Sequence, residues 1–202
     1  MMKGIYNWFR RIFKKKNKPI RPPNEIDSIP TWESEDYFFN ETFQYVLNFW
    51  AKKLARTIPR DIDKFCPKYS LRIHEEKVEF WKFLLMTVSY FESGFNSSVK
   101  YTENFSDRNG KRVISRGLFQ LSIESIKGYS RHGLTAPNFA DELHEPPKNL
   151  DCAAFVFHHW IERDLVISEI TRGQWRGGAR YWAVLRNPKV NQIKKICLKK
   201  FS

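Results

Sequence analysis

The sequence predicts a mainly helical α+β domain with one small β-hairpin. Apolar residues recur at helical spacing over several stretches. The period changes once, around Asn109-Gly110, the strongest short hairpin signal. A hydrophobic content of 42% in 202 residues is enough for one core and argues against wholesale disorder.

Residues 1–30 read as a basic amphipathic tail and Pro-rich linker, and 31–202 as the folded domain. In the tail, Ile5, Trp8, Phe9, Ile12 and Phe13 fall at helical spacing among Lys3, Arg10, Arg11 and Lys14–Lys16. Such a helix would suit an anionic membrane surface, and a solvated basic tail is the equal alternative. Arg10 and Arg11 interrupt the apolar run that a secretory signal requires, so no clear signal peptide is read. Pro19, Pro22, Pro23 and Pro30 predict an extended linker.

A helix is expected over residues 34–57, through Phe43, Leu47, Trp50 and Leu54, and another over 74–93. The second is apolar on most of its surface, which predicts a buried central helix capped by Gly94. Lys111-Arg112-Val113-Ile114 can pair back across the Asn109-Gly110 turn. Ser122 suits the N-cap of a short helix. Further helices are expected over 150–171, closed by Gly173, over 179–186, stopped at Asn187-Pro188, and in the basic C-terminus.

The net charge is +13, and it is concentrated at the ends. Residues 1–23 hold eight Lys or Arg and no acid, residues 170–202 hold nine and no acid, and the segment between holds all 22 acids. Basic ends on a mildly acidic middle suit a polyanion such as a membrane or an envelope polymer. No zinc-finger spacing, RNP-like signature or helix-turn-helix supports a specific nucleic-acid partner. Cys66, Cys152 and Cys197 allow one disulfide with a free thiol or three buried thiols. Cys152 and His159 share a helix face but supply two ligands of the four that structural zinc takes, so no metal and no cofactor is expected. Trp175-Arg176-Gly177-Gly178 is a candidate phosphate nest, with a connecting loop as the preferred reading.

The candidate chemistry begins at Phe91-Glu92-Ser93-Gly94-Phe95-Asn96. A carboxylate in the last turn of a nearly all-apolar helix faces both desolvation and the negative end of the helix dipole. Both raise its pKa and suit it to protonate a glycosidic oxygen. The second stretch is Ser115-Arg116-Gly117-Leu118-Phe119-Gln120-Leu121. Here Gly117 allows close backbone approach, and Gln120 offers an amide that can donate and accept.

Glu92-Ser93 with Phe95-Asn96, then Gly117-Leu118-Phe119-Gln120-Leu121, then Asn149-Leu150, resembles the soluble lytic transglycosylase family. That family has a lysozyme-like domain related to goose-type lysozyme, and the resemblance spans roughly residues 75–186. It implies cleavage of peptidoglycan between MurNAc and GlcNAc, with Glu92 as catalytic acid. Ser93, Ser115, Phe119, Gln120 and Tyr181 would contact substrate or position the acid. Three departures stand out. Residues 99–114 lengthen the stretch between the first two motifs, leaving Ser115 as the candidate for the family's serine. Ala179-Arg180-Tyr181-Trp182 carries Trp where Asn is usual, and Ser97 replaces a common proline.

The resemblance implies that one Glu suffices, because the sugar's O6 attacks and leaves a 1,6-anhydro end. Lytic transglycosylation is therefore the first expectation. A second acid would give goose-type hydrolysis; the candidates are Glu103 and Asp107, which are expected to be exposed loop acids. A non-enzymatic envelope-polymer or membrane binder is the remaining alternative, and it leaves the retention of Glu92 unexplained. The expected location is the cell envelope or periplasm, with membrane association through residues 1–18.

Overall fold

A computed structural model describes residues 35–202 of the chain. The amphipathic helix and linker expected within residues 1–30 lie outside the described residues. Helix α1 (Glu41–Leu54) starts at Asn40, whose side chain accepts the Phe43 N–H at 3.1 Å. It follows a 3-10 turn over Asp36–Phe39, where the sequence suggested continuous helix. Phe43, Leu47, Trp50, Ala51 and Leu54 form its buried face, the spacing of a single helical stripe. The Trp50 indole donates to Asp151 at 2.7 Å and ties α1 to a later helix.

Helix α2 (His74–Ser93) runs through the middle of the core, with Phe80, Trp81, Leu84, Leu85 and Val88 fully buried. Trp81 donates to the Tyr69 hydroxyl at 2.7 Å, which satisfies both polar tips in an apolar setting. The helix ends at left-handed Gly94, φ 61°, as the sequence predicts. Phe95 is left-handed as well, φ 64°, so the chain reverses sharply just after Glu92.

Strands β1 (Lys100–Ser106) and β2 (Arg112–Arg116) form the expected hairpin, and β3 (Leu121–Ser122) adds a third antiparallel strand beside β2. The turn differs from a two-residue Asn-Gly turn. The Asp107 N–H bonds the Lys111 carbonyl at 2.8 Å around three residues, of which Gly110 alone has positive φ. Asp107 Oδ1 accepts the N–H groups of Asn109 and Lys111, both at 2.9 Å, and this favours the longer turn.

Ser122 caps α3 (Ile123–Gly128) by accepting the Ser125 N–H at 3.2 Å. Helix α4 is Pro146–Asp164, which starts earlier than expected and stops seven residues sooner. Leu165 ends it in a left-handed conformation, φ 52°. The stretch read as its last turns is instead a second hairpin, β4 (Ser168–Thr171) with β5 (Gln174–Gly177), turning at Gly173. Buried Asp61 fixes the approach to β4 by accepting the N–H groups of Ile167 at 2.7 Å and Ser168 at 2.9 Å.

The helix expected over 179–186 is two 3-10 turns, Gly178–Arg180 and Ala183–Leu185. Helix α5 (Lys189–Phe201) packs Val190, Ile193, Cys197 and Phe201 inward and exposes Lys189, Lys195, Lys199 and Lys200. The mainly helical α+β class holds, with two hairpins in place of one. All three cysteines are buried, unpaired thiols. Among the described residues, no helix is long and apolar enough to cross a membrane.

Candidate active site

The scaffold of the site is the loop from β2 to β3, closed against the start of α4 by Asn149. This side chain is fully buried. Its amide donates to the carbonyls of Arg116 at 3.0 Å and Leu143 at 2.7 Å, while its oxygen accepts the Phe119 N–H at 2.9 Å. Gly117, φ 74°, passes so close that an added Cβ would lie 2.1 Å from the Leu143 carbonyl oxygen and 2.4 Å from Asn149 Nδ2. The following turn leaves Gln120 left-handed, φ 48°, and aims its side chain back across the loop.

Beside this loop is a cleft of about 400 Å³. Glu92 at the end of α2, Glu103 on β1, Ser115 on β2, and Gln120 all line it. Tyr181 and Arg186, from the stretch between β5 and α5, complete the opposite wall. Glu92 is largely buried and lines the cleft wall. Its carboxyl is raised to about 7. Burial is the main cause and the Glu103 charge adds to it, against the opposing pull of Lys189 and Arg186.

Glu103 reaches the cleft because β1 is irregular there. The register shifts between Thr102 and Ser106, so the residues around Glu103 leave the regular alternation of the strand. The Ser115 hydroxyl donates to Glu103 Oε1 at 2.6 Å, and the Arg112 guanidinium donates to the Glu103 carbonyl at 3.1 Å. The first contact orients the carboxylate and the second ties down the backbone that carries it.

The whole fold has solved counterparts. It superposes on the Bdellovibrio protein DslA, in a wild-type form, with a TM-score of 0.74. The two sequences are 36% identical, over 86% of this chain and 96% of that one. Two glutamate-to-glutamine mutants of DslA match at 35% and 34% identity, also with a TM-score of 0.74. The chain belongs to the DslA family. No protein-family model matches the sequence, and comparison with curated proteins finds no match either.

In this DslA-family chain, the cleft collects Glu92, Glu103, Ser115, Gln120 and Tyr181 from among the residues singled out in the sequence. The others lie elsewhere. Ser93 is buried and spends its hydroxyl on the Ser89 carbonyl at 3.1 Å, within its own helix. Phe119 is fully buried, and its ring packs edge-on against Trp182. Asp107 sits in the hairpin turn and organises backbone N–H groups. Glu103, in the cleft, therefore corrects the expectation of an exposed loop acid; Asp107 is a turn acid as expected, although it is only partly exposed.

Gln120 also differs from expectation. Its amide nitrogen already donates to the carbonyls of Gly117 at 2.8 Å and Val99 at 3.2 Å. Its amide oxygen, which has no partner among the described residues, is left to accept from a ligand. Burial raises the Tyr181 phenol, opposed by hydrogen bonds with the Ser122 backbone and Ser125 side chain; the Glu92 charge raises it further. Tyr181 is thus near Glu92 electrostatically and anchored to the start of α3.

Trp182, standing where the transglycosylase motif has Asn, is buried and donates to the Phe119 carbonyl at 3.1 Å. It supports the cleft floor. Arg180 and Arg186 also line the cleft; in the sequence Arg180 stands inside the Ala179–Trp182 motif and Arg186 in the basic C-terminal segment, and neither carries a signal that it faces a site. Gly177, in the candidate phosphate nest, gives its N–H to Asp164 at 2.7 Å, so that donor is already engaged by a carboxylate. Among the described residues no group of three or more His, Cys, Asp or Glu is placed to hold a metal ion.

Proposed function

We propose that the chain hydrolyses the glycan strand of peptidoglycan between MurNAc and GlcNAc, with Glu92 as general acid and Glu103 as general base. The observation that carries this reading is Glu103 in the same cleft as Glu92, held by Ser115. A second observation agrees with it. The two DslA mutants alter glutamates eleven residues apart in that chain, and Glu92 and Glu103 have the same separation.

The chemistry gives the two carboxyls different roles. Glu92, raised to about 7, carries its proton in mildly acidic solution and passes it to the leaving glycosidic oxygen as the C1–O bond breaks. A water on the opposite face attacks C1 and gives its proton to Glu103, leaving a reducing end with inverted configuration. Lytic transglycosylation, the first expectation from the motifs, needs Glu92 alone and would leave 1,6-anhydro ends. Goose-type hydrolysis makes use of the second acid.

Mass spectrometry of muropeptides released from purified sacculi separates the two, because the products differ by one water. Reducing ends are expected. Anhydro ends would remove Glu103 from the mechanism. Glu103→Gln should lower the rate by about 100-fold, the lower range of a general base contribution, with the melting temperature little changed. The pH profile offers an independent check. Glu92 must be protonated to act as acid, so the rate should fall as pH rises through about 7. A decline already complete near pH 5 would mean a solvated carboxyl and a different acid.

A further inference from the structure

A second hollow of about 290 Å³ adjoins the cleft, and both share Ser125 and Tyr181 in their walls. It lies between α3, the turn after it, and the last turns of α4. Arg131, His132, His159 and Arg163 bring four nitrogen-bearing side chains to it, and Tyr129 and Trp160 supply aromatic surface. Among the described residues no Asp or Glu lines it. Glu162 and Asp164 act on His159 from outside the lining. Asp164 is already engaged by Arg180, at 2.6 and 3.1 Å, and by the Gly177 N–H.

The aromatic frame is rigid and polar at its tips. Trp160 donates to the Tyr129 hydroxyl at 2.7 Å. The guanidinium groups of Arg180 and Arg163 lie 4.6 and 5.2 Å from the Trp160 ring. The His132 and His159 rings sit 4.6 Å apart. His159 Nε2 is buried and has no hydrogen-bond partner among the described residues, which is costly unless a ligand completes it. Arg131 and Arg163 are both exposed, with no carboxylate within ion-pair distance among the described residues.

Resting on the proposed glycan-cleaving function, we propose that this hollow is a subsite for a carboxylate borne by a substituent of the glycan, the acidic peptide stem of wall polymer. A strand lying in the cleft and passing Tyr181 would present its next substituent here. The Arg131 guanidinium spends only its Nε, on His132 at 3.2 Å, and neither it nor Arg163 has a carboxylate partner among the described residues, so both keep the paired N–H donors that a carboxylate takes, beside an imidazole lacking a partner.

The test is a binding measurement on the full chain in the Glu92→Gln background, using two oligosaccharide probes. One carries free stem carboxylates, and the other carries the same stems amidated. The free-acid probe is expected to bind about tenfold more tightly, as charge-assisted hydrogen bonds allow. Arg131→Gln combined with Arg163→Gln should erase the difference. Both residues are exposed, so the fold does not depend on them. Equal binding of the two probes would overturn this inference alone, and binding of neither would overturn the proposed function with it. A preference that survives the double substitution would place the carboxylate elsewhere. Inorganic phosphate binding at the hollow, without discrimination between the probes, would assign it to a phosphate and refute the carboxylate.

Discussion

Glu92→Gln is expected to lower glycan cleavage by about 100- to 10,000-fold while the domain stays folded. The amide nearly matches the carboxyl in shape but has no acidic proton to give the leaving oxygen. The same substitution should change the pH dependence of stability, in a calculable direction. The Glu92 carboxyl is raised from 4.5 to about 7 in the folded state, so the folded chain holds a proton that the unfolded chain releases. Stability tied to that proton is complete below about pH 4.5 and is lost as pH rises through about 7. Glutamine carries no such dependence. Wild type and variant should melt close together near pH 5, and the variant should melt higher at pH 8. Near wild-type clearing of sacculi by a well-folded variant would remove Glu92 from the mechanism.

Gly117→Ala should be among the most damaging single substitutions in the domain. Two effects combine at this residue. A left-handed conformation alone costs alanine about 1–2 kcal/mol. At Gly117 the new methyl would also meet the Leu143 carbonyl oxygen at 2.1 Å and Asn149 at 2.4 Å, and neither can retreat without releasing the β2–β3 loop. The combined cost is on the order of 4 kcal/mol, enough to unfold a marginal domain. Gly110 provides the control. It has nearly the same positive φ, 75°, but among the described residues nothing lies within 4 Å of an added Cβ, so Gly110→Ala should cost only the conformational part. Urea midpoints of the two variants compare them directly. Equal losses would mean that Gly117 matters only for its dihedral angles.

The parts of the fold that could be read from sequence are those with a local signal. Helix α2 has an unbroken apolar surface and a glycine stop, and its ends fall at the residues expected. Ser122 and Gly110 mark their turns for similar reasons. The second hairpin was hidden because Val166, Ile167 and Ile170 continue a plausible helical stripe beyond Asp164. The helix actually stops at Leu165, a residue that gives no hint of a left-handed conformation. Gly173 then looks like a helix cap when it is a hairpin turn.

The candidate site divides along the same line. Glu92, Gln120 and Tyr181 belong to recognisable motifs, and the cleft brings them together. Glu103 sits on a strand that is mostly exposed, and only the irregular pairing of β1 with β2 turns it inward. Such a bulge arises from pairing between strands and leaves no mark in the residue itself. Phe119 shows the opposite error. Its motif neighbours suggest a ligand contact, but the close approach at Gly117 drives its ring into the core.

The three buried thiols turn the domain into its own opening gauge. Cys66 lies in the connection between α1 and α2, Cys152 on α4, and Cys197 on α5, so each reports on a different part of the core. Burial raises all three, Cys152 to about 12, and a thiol so protonated and enclosed is inert toward alkylating reagents until its surroundings part. Labelling rates at the three positions therefore read local unfolding free energies, as amide exchange does, but with a side-chain probe. Cysteines that open together belong to one cooperative unit. If Cys152 labels at the global rate while Cys197 labels faster, then α5, and with it the Arg186 side of the cleft, detaches before the rest of the molecule melts.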